Sequence, residues 1–258
     1  MSVITYLQGR ASAAVLSGDE EKSINTSIAT IKSRLTSHFG TGLSEQFRFG
    51  SSTRGTILPR SMDEHSDIDY MVVFSEGGYT PQTYLDRIKR FADIYYASSD
   101  IKQSSPSVVL QLNHIKFDLV PALKQVFFSG YKIPDGPGAW QDTNPNDFNA
   151  TLTAKNTAEL FMIKPTIRLV KYWNAYNGYI YDSYSLEKLI VGLSFWGVSN
   201  LREYVFTVFD NLTLAYGQPQ WRKDKLTRAK EIVAKVRQLE RDEMPATAEV
   251  EIKKLIPA

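Results

Sequence analysis

Cysteine is absent from the 258 residues. That excludes a disulfide scaffold, a zinc ribbon, an iron–sulfur cluster and a thiol nucleophile. Histidine is scarce, with only His38, His65 and His114. A histidine-rich metal site goes with them, so any metal here is a hard cation held by carboxylate oxygens. Long hydrophobic runs are missing too. The most apolar stretch, residues 189–198 (LIVGLSFWGV), is far shorter than the roughly 20 residues needed to span a bilayer. Residues 1–6 (MSVITY) carry neither the basic segment nor the apolar core of a secretory leader, so a cytoplasmic protein without membrane contact is expected. The net charge is only +2. It argues against bulk polyanion binding but allows a local basic cleft. What the chain does have is an interior: 43% of its residues are hydrophobic and 22% charged, enough for one large domain or two small ones sharing a core.

The pattern along the chain separates two halves. Residues 19–39 read as a helix, with Ile24, Ile28, Ile31 and Leu35 at spacings of three and four, acidic residues at the start and Gly40 at the end. A short strand at 46–49 runs into Gly50-Ser51, and a polar loop fills 52–66. Residues 67–74 (DIDYMVVF) read as a strand buried on both faces. A helix is expected over 81–97, then strands over 107–112 and 114–120, the second stopped by Pro121. Residues 129–150, rich in Gly, Pro, Asn and Asp, read as a loop. Helices are expected near 150–177, 183–203 and 222–241, with a short one near 205–210. The expected architecture is α+β: an N-terminal core with a mixed sheet over residues 1–135, a C-terminal helical subdomain over 136–258, and an active-site cleft between them.

Carboxylates carry the chemistry. Asp67 and Asp69 stand two apart at the start of a strand, so both side chains point to one face. They lie roughly 6–7 Å apart along it, a spacing suited to gripping one or two divalent ions. Asp118 sits among apolar residues in Ile115–Val120, where a lone carboxylate is costly to bury. A neighbouring strand bearing Asp67 and Asp69, with Mg²⁺ between, would relieve that cost and make a two-metal site for phosphoryl or nucleotidyl transfer. The Gly50-Ser51 turn can present N–H groups to a phosphate, and Arg54 can supply a phosphate-directed fork.

The ordered set resembles a known family. Residues 49–56 (FGSSTRGT), 66–70 (SDIDY) and 117–121 (FDLVP) look like the DNA polymerase β-like nucleotidyltransferases. Within these they resemble the CD-NTases, bacterial relatives of cyclic GMP–AMP synthase and oligoadenylate synthetase. Residues 140–145 (WQDTNP) are similar to the family's loop between the halves, 168–174 (RLVKYWN) to its Lys-bearing helix, and 183–187 (SYSLE) to the start of its next helix.

The resemblance implies a metal-dependent nucleotidyltransferase that makes a cyclic or linear oligonucleotide signal from nucleoside triphosphates, in anti-phage defence. A downstream effector protein would read that signal. The alternative is template-free transfer of nucleotides onto a protein, a tRNA or a growing strand. Asp67, Asp69 and Asp118 would be catalytic and would hold two Mg²⁺ ions, with Mn²⁺ able to substitute. Gly50, Ser51, Arg54, Lys171 and Ser185 would contact the nucleotide phosphates. Two residues of these segments have plainer readings. Lys171 suits a snorkelling surface lysine, and Ser183 suits an N-cap for a helix beginning at Tyr184. The segment 222–241 holds eight Lys/Arg against three Asp/Glu; it suits a solvated basic face or a guide for an oligonucleotide or RNA.

Overall fold

The structure, a computed structural model, describes residues 2–125, 129–145 and 147–258. Its elements run α1 (Val3–Ala13), α2 (Gly18–Phe39), β1 (Leu43–Phe49), α3 (Ser51–Arg54), β2 (Asp67–Phe74), α4 (Pro81–Tyr95), β3 (Asp100–Ser104), β4 (Ser107–Gln111), β5 (Lys116–Lys124), β6 (Tyr131–Asp135), β7 (Ala139–Thr143), α5 (Asp147–Ala158), α6 (Ile163–Tyr176), α7 (Ser183–Gly192), α8 (Leu201–Asn211), α9 (Gln220–Arg241) and α10 (Pro245–Ile252). They form two compact units. One comprises residues 16–60 and 65–150; the other comprises 1–15, 61–64 and 151–258.

The first unit is built on a seven-stranded sheet ordered β1-β2-β5-β4-β3, with β6 and β7 added beyond β5. Only β2 and β5 pair in parallel; the rest are antiparallel. One face carries Ile68, Tyr70, Val72 and Phe74 of β2, Phe117 and Leu119 of β5, and Val108 and Leu110 of β4. Ile24, Ile31 and Leu35 of α2 and Tyr84, Leu85, Ile88 and Phe91 of α4 cover it. Each fully buried side chain of this size contributes about 1.5–3 kcal/mol of transfer free energy, so this layer fixes the strands in place. The expected stripe of α2 is the one buried, with Ile28 covered in part. A capping box closes α2, Ser17 receiving the Glu20 N–H while the Glu20 carboxylate returns to the Ser17 N–H.

Four features of this unit differ from the expectation. Pro121 does not stop its strand: β5 continues to Lys124. β4 pairs as far as Leu119 and β6 takes over at Leu123, so Pro121 sits where no strand on that side needs its missing N–H. The stretch 129–150 is not simply a loop. Residues 131–143 form the β6–β7 hairpin, Tyr131 to Asp135 paired with Thr143 to Ala139, and the Gly and Pro residues make its turn. Asn146 of that stretch lies outside the described residues. The proposed inter-half segment at Trp140 is therefore mostly strand β7. Finally β3, too polar to stand out, pairs with β4 as an edge strand.

The second unit is helical. Its expected first helix, 150–177, divides into α5 and α6, with a break at which Leu160 and Phe161 adopt φ of 50° and 64°. The expected 183–203 helix ends at Gly192, and 205–210 belongs to α8. Asp182, not Ser183, caps α7, receiving the Ser185 N–H at 2.8 Å. Residues 1–15, expected with the sheet, belong to this unit because α1 buries Val3, Tyr6, Leu7 and Ala11, and Tyr6 donates to the Ile256 carbonyl at 2.7 Å. Residues 136–150 lie instead with the sheet, to which β7 adds. Among the described residues no helix is long and apolar enough to cross a membrane.

Candidate active site

The parallel register of β2 on β5 does the assembling. Asp67 stands opposite Lys116 and Asp69 opposite Asp118. Paired residues in a sheet share a face and residues two apart share it as well. All four charged side chains therefore rise from one face, opposite the layer covered by α2 and α4. Along the same strands that face continues into the small buried patch of Met71, Val73, Val120 and Ala122, with Phe47, Phe49, Tyr131 and Ile133 against it. A charged end and an apolar end thus share one surface, and the apolar end fixes how the charged end is presented.

Asp118 stands partly buried on this face. Burial, then the nearby Asp67 charge, push its carboxyl up to about 6, while Lys116 and a hydrogen bond from Ser107 pull the other way. Ser107 Oγ lies 3.3 Å from Oδ2. Oδ1 is buried and accepts no hydrogen bond; its nearest cation is the Lys116 ammonium at 3.8 Å. That ammonium is closer to Asp67, at 3.0 Å from Oδ2. Burial lowers the Lys116 pKa, but Asp67, Asp118 and Asp69 outweigh burial and hold it above its ordinary value.

Gly50 meets this cluster from β1, whose Phe49 pairs with Asp69. Its φ is +73°, and a Cβ there would stand 1.9 Å from Asp69 Oδ2. Only glycine gives the main chain this path. Ser51 then opens α3, whose first N–H groups have no intrahelical acceptor. The turn is braced from within: Thr53 donates its N–H and its hydroxyl to the Gly50 carbonyl, and Ser52 donates to that of Phe49. Arg54 is buried, with its guanidinium 5.6 Å from the Phe148 ring centre.

Gly50, Ser51, Arg54, Asp67, Asp69 and Asp118 thus belong to the sheet unit, the strand pairing joining the acids and the Gly50 turn reaching Asp69. Lys171 and Ser185 belong to the helical unit. Lys171 is buried on α6, with Nζ 3.1 Å from Oε1 of the fully buried Glu187. Ser185 is exposed in the first turn of α7. The residues missing from the sequence reading are Lys116 and Ser107. For Lys116 a signal existed, since it stands two before Asp118 on the same strand and so shares its face.

The chemistry of the donor set fits a hard divalent cation: three carboxylates on one face, one buried oxygen of which lacks a hydrogen bond. Among the described residues no group of three His, Cys, Asp or Glu side chains is arranged to hold a metal ion as it stands. The Lys116 ammonium sits between Asp67 and Asp118 instead.

Residues 1–156 match the model of the Second Messenger Oligonucleotide or Dinucleotide Synthetase domain. A probable cyclic nucleotide synthase of Bacillus cereus (strain VD146) is 28% identical, over 55% of this chain and 54% of that protein. The chain thus spans about half the length of this curated relative. Among solved structures, Vibrio cholerae DncV cyclic AMP-GMP synthase superposes with a TM-score of 0.77 at 11% identity, over 99% of this chain and 96% of that one. CdnC of E. coli MS115-1, in complex with HORMA-deltaN, superposes with a TM-score of 0.74 at 16% identity, over 100% and 98%. These likenesses establish the fold.

Proposed function

The chain belongs to the Second Messenger Oligonucleotide or Dinucleotide Synthetase family, and from that premise we propose that it is a metal-dependent nucleotidyltransferase joining nucleoside triphosphates into a cyclic or linear oligonucleotide signal. The observation that carries this reading is the register of β2 on β5, which puts Asp67, Asp69 and Asp118 on one face with Gly50 against Asp69. The catalytic role falls to the sheet unit.

In the reaction, a sugar hydroxyl attacks the α-phosphorus of a triphosphate. The bond from that phosphorus to the β-bridging oxygen breaks, and pyrophosphate leaves with the electron pair. Asp67, Asp69 and Asp118 would hold two Mg²⁺ ions, or Mn²⁺ in their place; bound there, the ions lower the hydroxyl's pKa and neutralise charge on the leaving group. Asp118, whose carboxyl burial pushes up to about 6, receives the hydroxyl proton. Gly50 lets the main chain run close to Asp69, and Ser51 offers its N–H and hydroxyl to the triphosphate. Arg54, stacked by Phe148, adds positive charge beside that turn. Lys171 and Ser185 are proposed as further phosphate contacts from the helical unit, and Lys171 must leave Glu187 to serve. The product is proposed to act through a downstream effector protein in anti-phage defence.

Incubation with labelled ribonucleoside and deoxyribonucleoside triphosphates in Mg²⁺, read by mass spectrometry, tests the proposal. A phosphatase-resistant small product identifies a cyclic signal, and a ladder a linear one. Label on the protein or on added tRNA would replace signal synthesis with nucleotide transfer. No turnover of any triphosphate would remove the catalytic assignment.

A further inference from the structure

We infer that Lys116 is the resident counter-cation of the acidic cluster: it holds Asp67 and Asp118 while no divalent ion is bound, and it competes with that ion for their oxygens. The inference rests on the metal-dependent reading above and concerns how tightly the site takes its ion.

Three carboxylates on two adjacent strands repel one another. Neighbouring strands are separated by about 4.8 Å, so this repulsion falls directly on the β2–β5 pairing that aligns the site. Lys116 stands at the one register position, opposite Asp67 and two before Asp118, from which a single side chain reaches both. Its Nζ is 3.0 Å from Asp67 Oδ2 and 3.8 Å from Asp118 Oδ1. Both recorded ion-pair partners of Lys116 are members of the cluster, and its side chain is only 24% exposed. The otherwise unbonded Asp118 Oδ1 faces this ammonium. A divalent ion held by Asp67 and Asp118 would compete with the ammonium for their oxygens, since two cations repel at contact distance. Loading therefore displaces Lys116 from Asp67, and the strength of the displaced pair subtracts from the metal affinity. An ion pair of this exposure is worth enough to shift binding by about two- to fivefold.

The experiment measures Mn²⁺ binding to the intact chain, by the electron paramagnetic resonance signal of free Mn²⁺, without any nucleotide. Melting temperatures in EDTA accompany it. Lys116→Met should bind Mn²⁺ about two- to fivefold more tightly than wild type and melt lower in EDTA. Lys116→Gln should behave likewise, which keeps the test available if the Met variant does not fold. Lys116→Arg should stay near wild type in both. Unchanged or weaker Mn²⁺ binding in Lys116→Met and Lys116→Gln overturns the inference. The metal-dependent reading fails separately, and takes the inference with it, if wild type binds no Mn²⁺ or if Asp69→Asn binds it as well as wild type.

Discussion

At Gly50 the space left for a side chain is smaller than one methyl group, because Asp69 Oδ2 would lie 1.9 Å from a Cβ there. Gly50→Ala should therefore push Asp69 aside and cut turnover by about 100-fold or more, while the left-handed backbone costs about 1–2 kcal/mol of stability. Steady-state kinetics beside thermal melting would separate the two effects. Asp118 makes a prediction about pH in the metal-free protein. Its folded pKa, about 6, lies above the ordinary 3.8, so the folded state binds the extra proton and stability falls as pH rises through that window. Asp118→Asn carries no such charge. In EDTA it should gain roughly 1–3 kcal/mol relative to wild type between pH 4 and pH 7, measured by urea unfolding at each pH. Lys171 makes a third. Removing it takes from the fully buried Glu187 the ammonium that stands 3.1 Å from its Oε1. Lys171→Met should cost about 3 kcal/mol, with much of that recovered in the double variant with Glu187→Gln; a stability-neutral Lys171→Met in the same unfolding assay would mean that Glu187 finds another partner. At this scale the three acids and Gly50 were legible because their type and order are unusual. Lys116 was passed over, because a lysine alternating with apolar residues on a strand reads as an ordinary solvent-facing position, although its place two before Asp118 marks the same face.

The elements divide along similar lines. Helices α2 and α4 and strand β2 were readable because one periodicity runs through each, and most of their apolar positions proved to be buried, Ile28 and Tyr95 only in part and Ile94 not at all. The hairpin β6–β7 was hidden because Gly136, Pro137 and Gly138 mark its turn so strongly that the short strands beside them look like more loop. The break between α5 and α6 was hidden for the opposite reason: Leu160 and Phe161 are apolar, so nothing in their chemistry announces a left-handed turn. Capping gives a test at this scale. Ser17 receives the Glu20 N–H at 3.2 Å, and Ser17→Ala should lower stability by about 1 kcal/mol through fraying of the first turn of α2. Thermal melting and circular dichroism would read it, and turnover at temperatures well below the melt should be unchanged.

For the molecule as a whole, composition narrowed the chemistry before any motif did. Without cysteine and with three histidines, carboxylates were the remaining strong ligands, and the fold gathers three of them on one sheet face. The division into units was only partly legible. The N-terminal helix belongs with residues far along the chain, through contacts such as Tyr6 to the Ile256 carbonyl, which no local pattern encodes. A single assay bears hardest on the claim that this sheet face is the nucleotidyltransferase centre. It follows pyrophosphate release from a mixture of the four ribonucleoside triphosphates in Mg²⁺, for wild type and Asp69→Asn. Wild type should release pyrophosphate in step with oligonucleotide product, and Asp69→Asn, equally folded by circular dichroism, should be slower by about 1,000-fold or more. Release at the same rate in both proteins would contradict it.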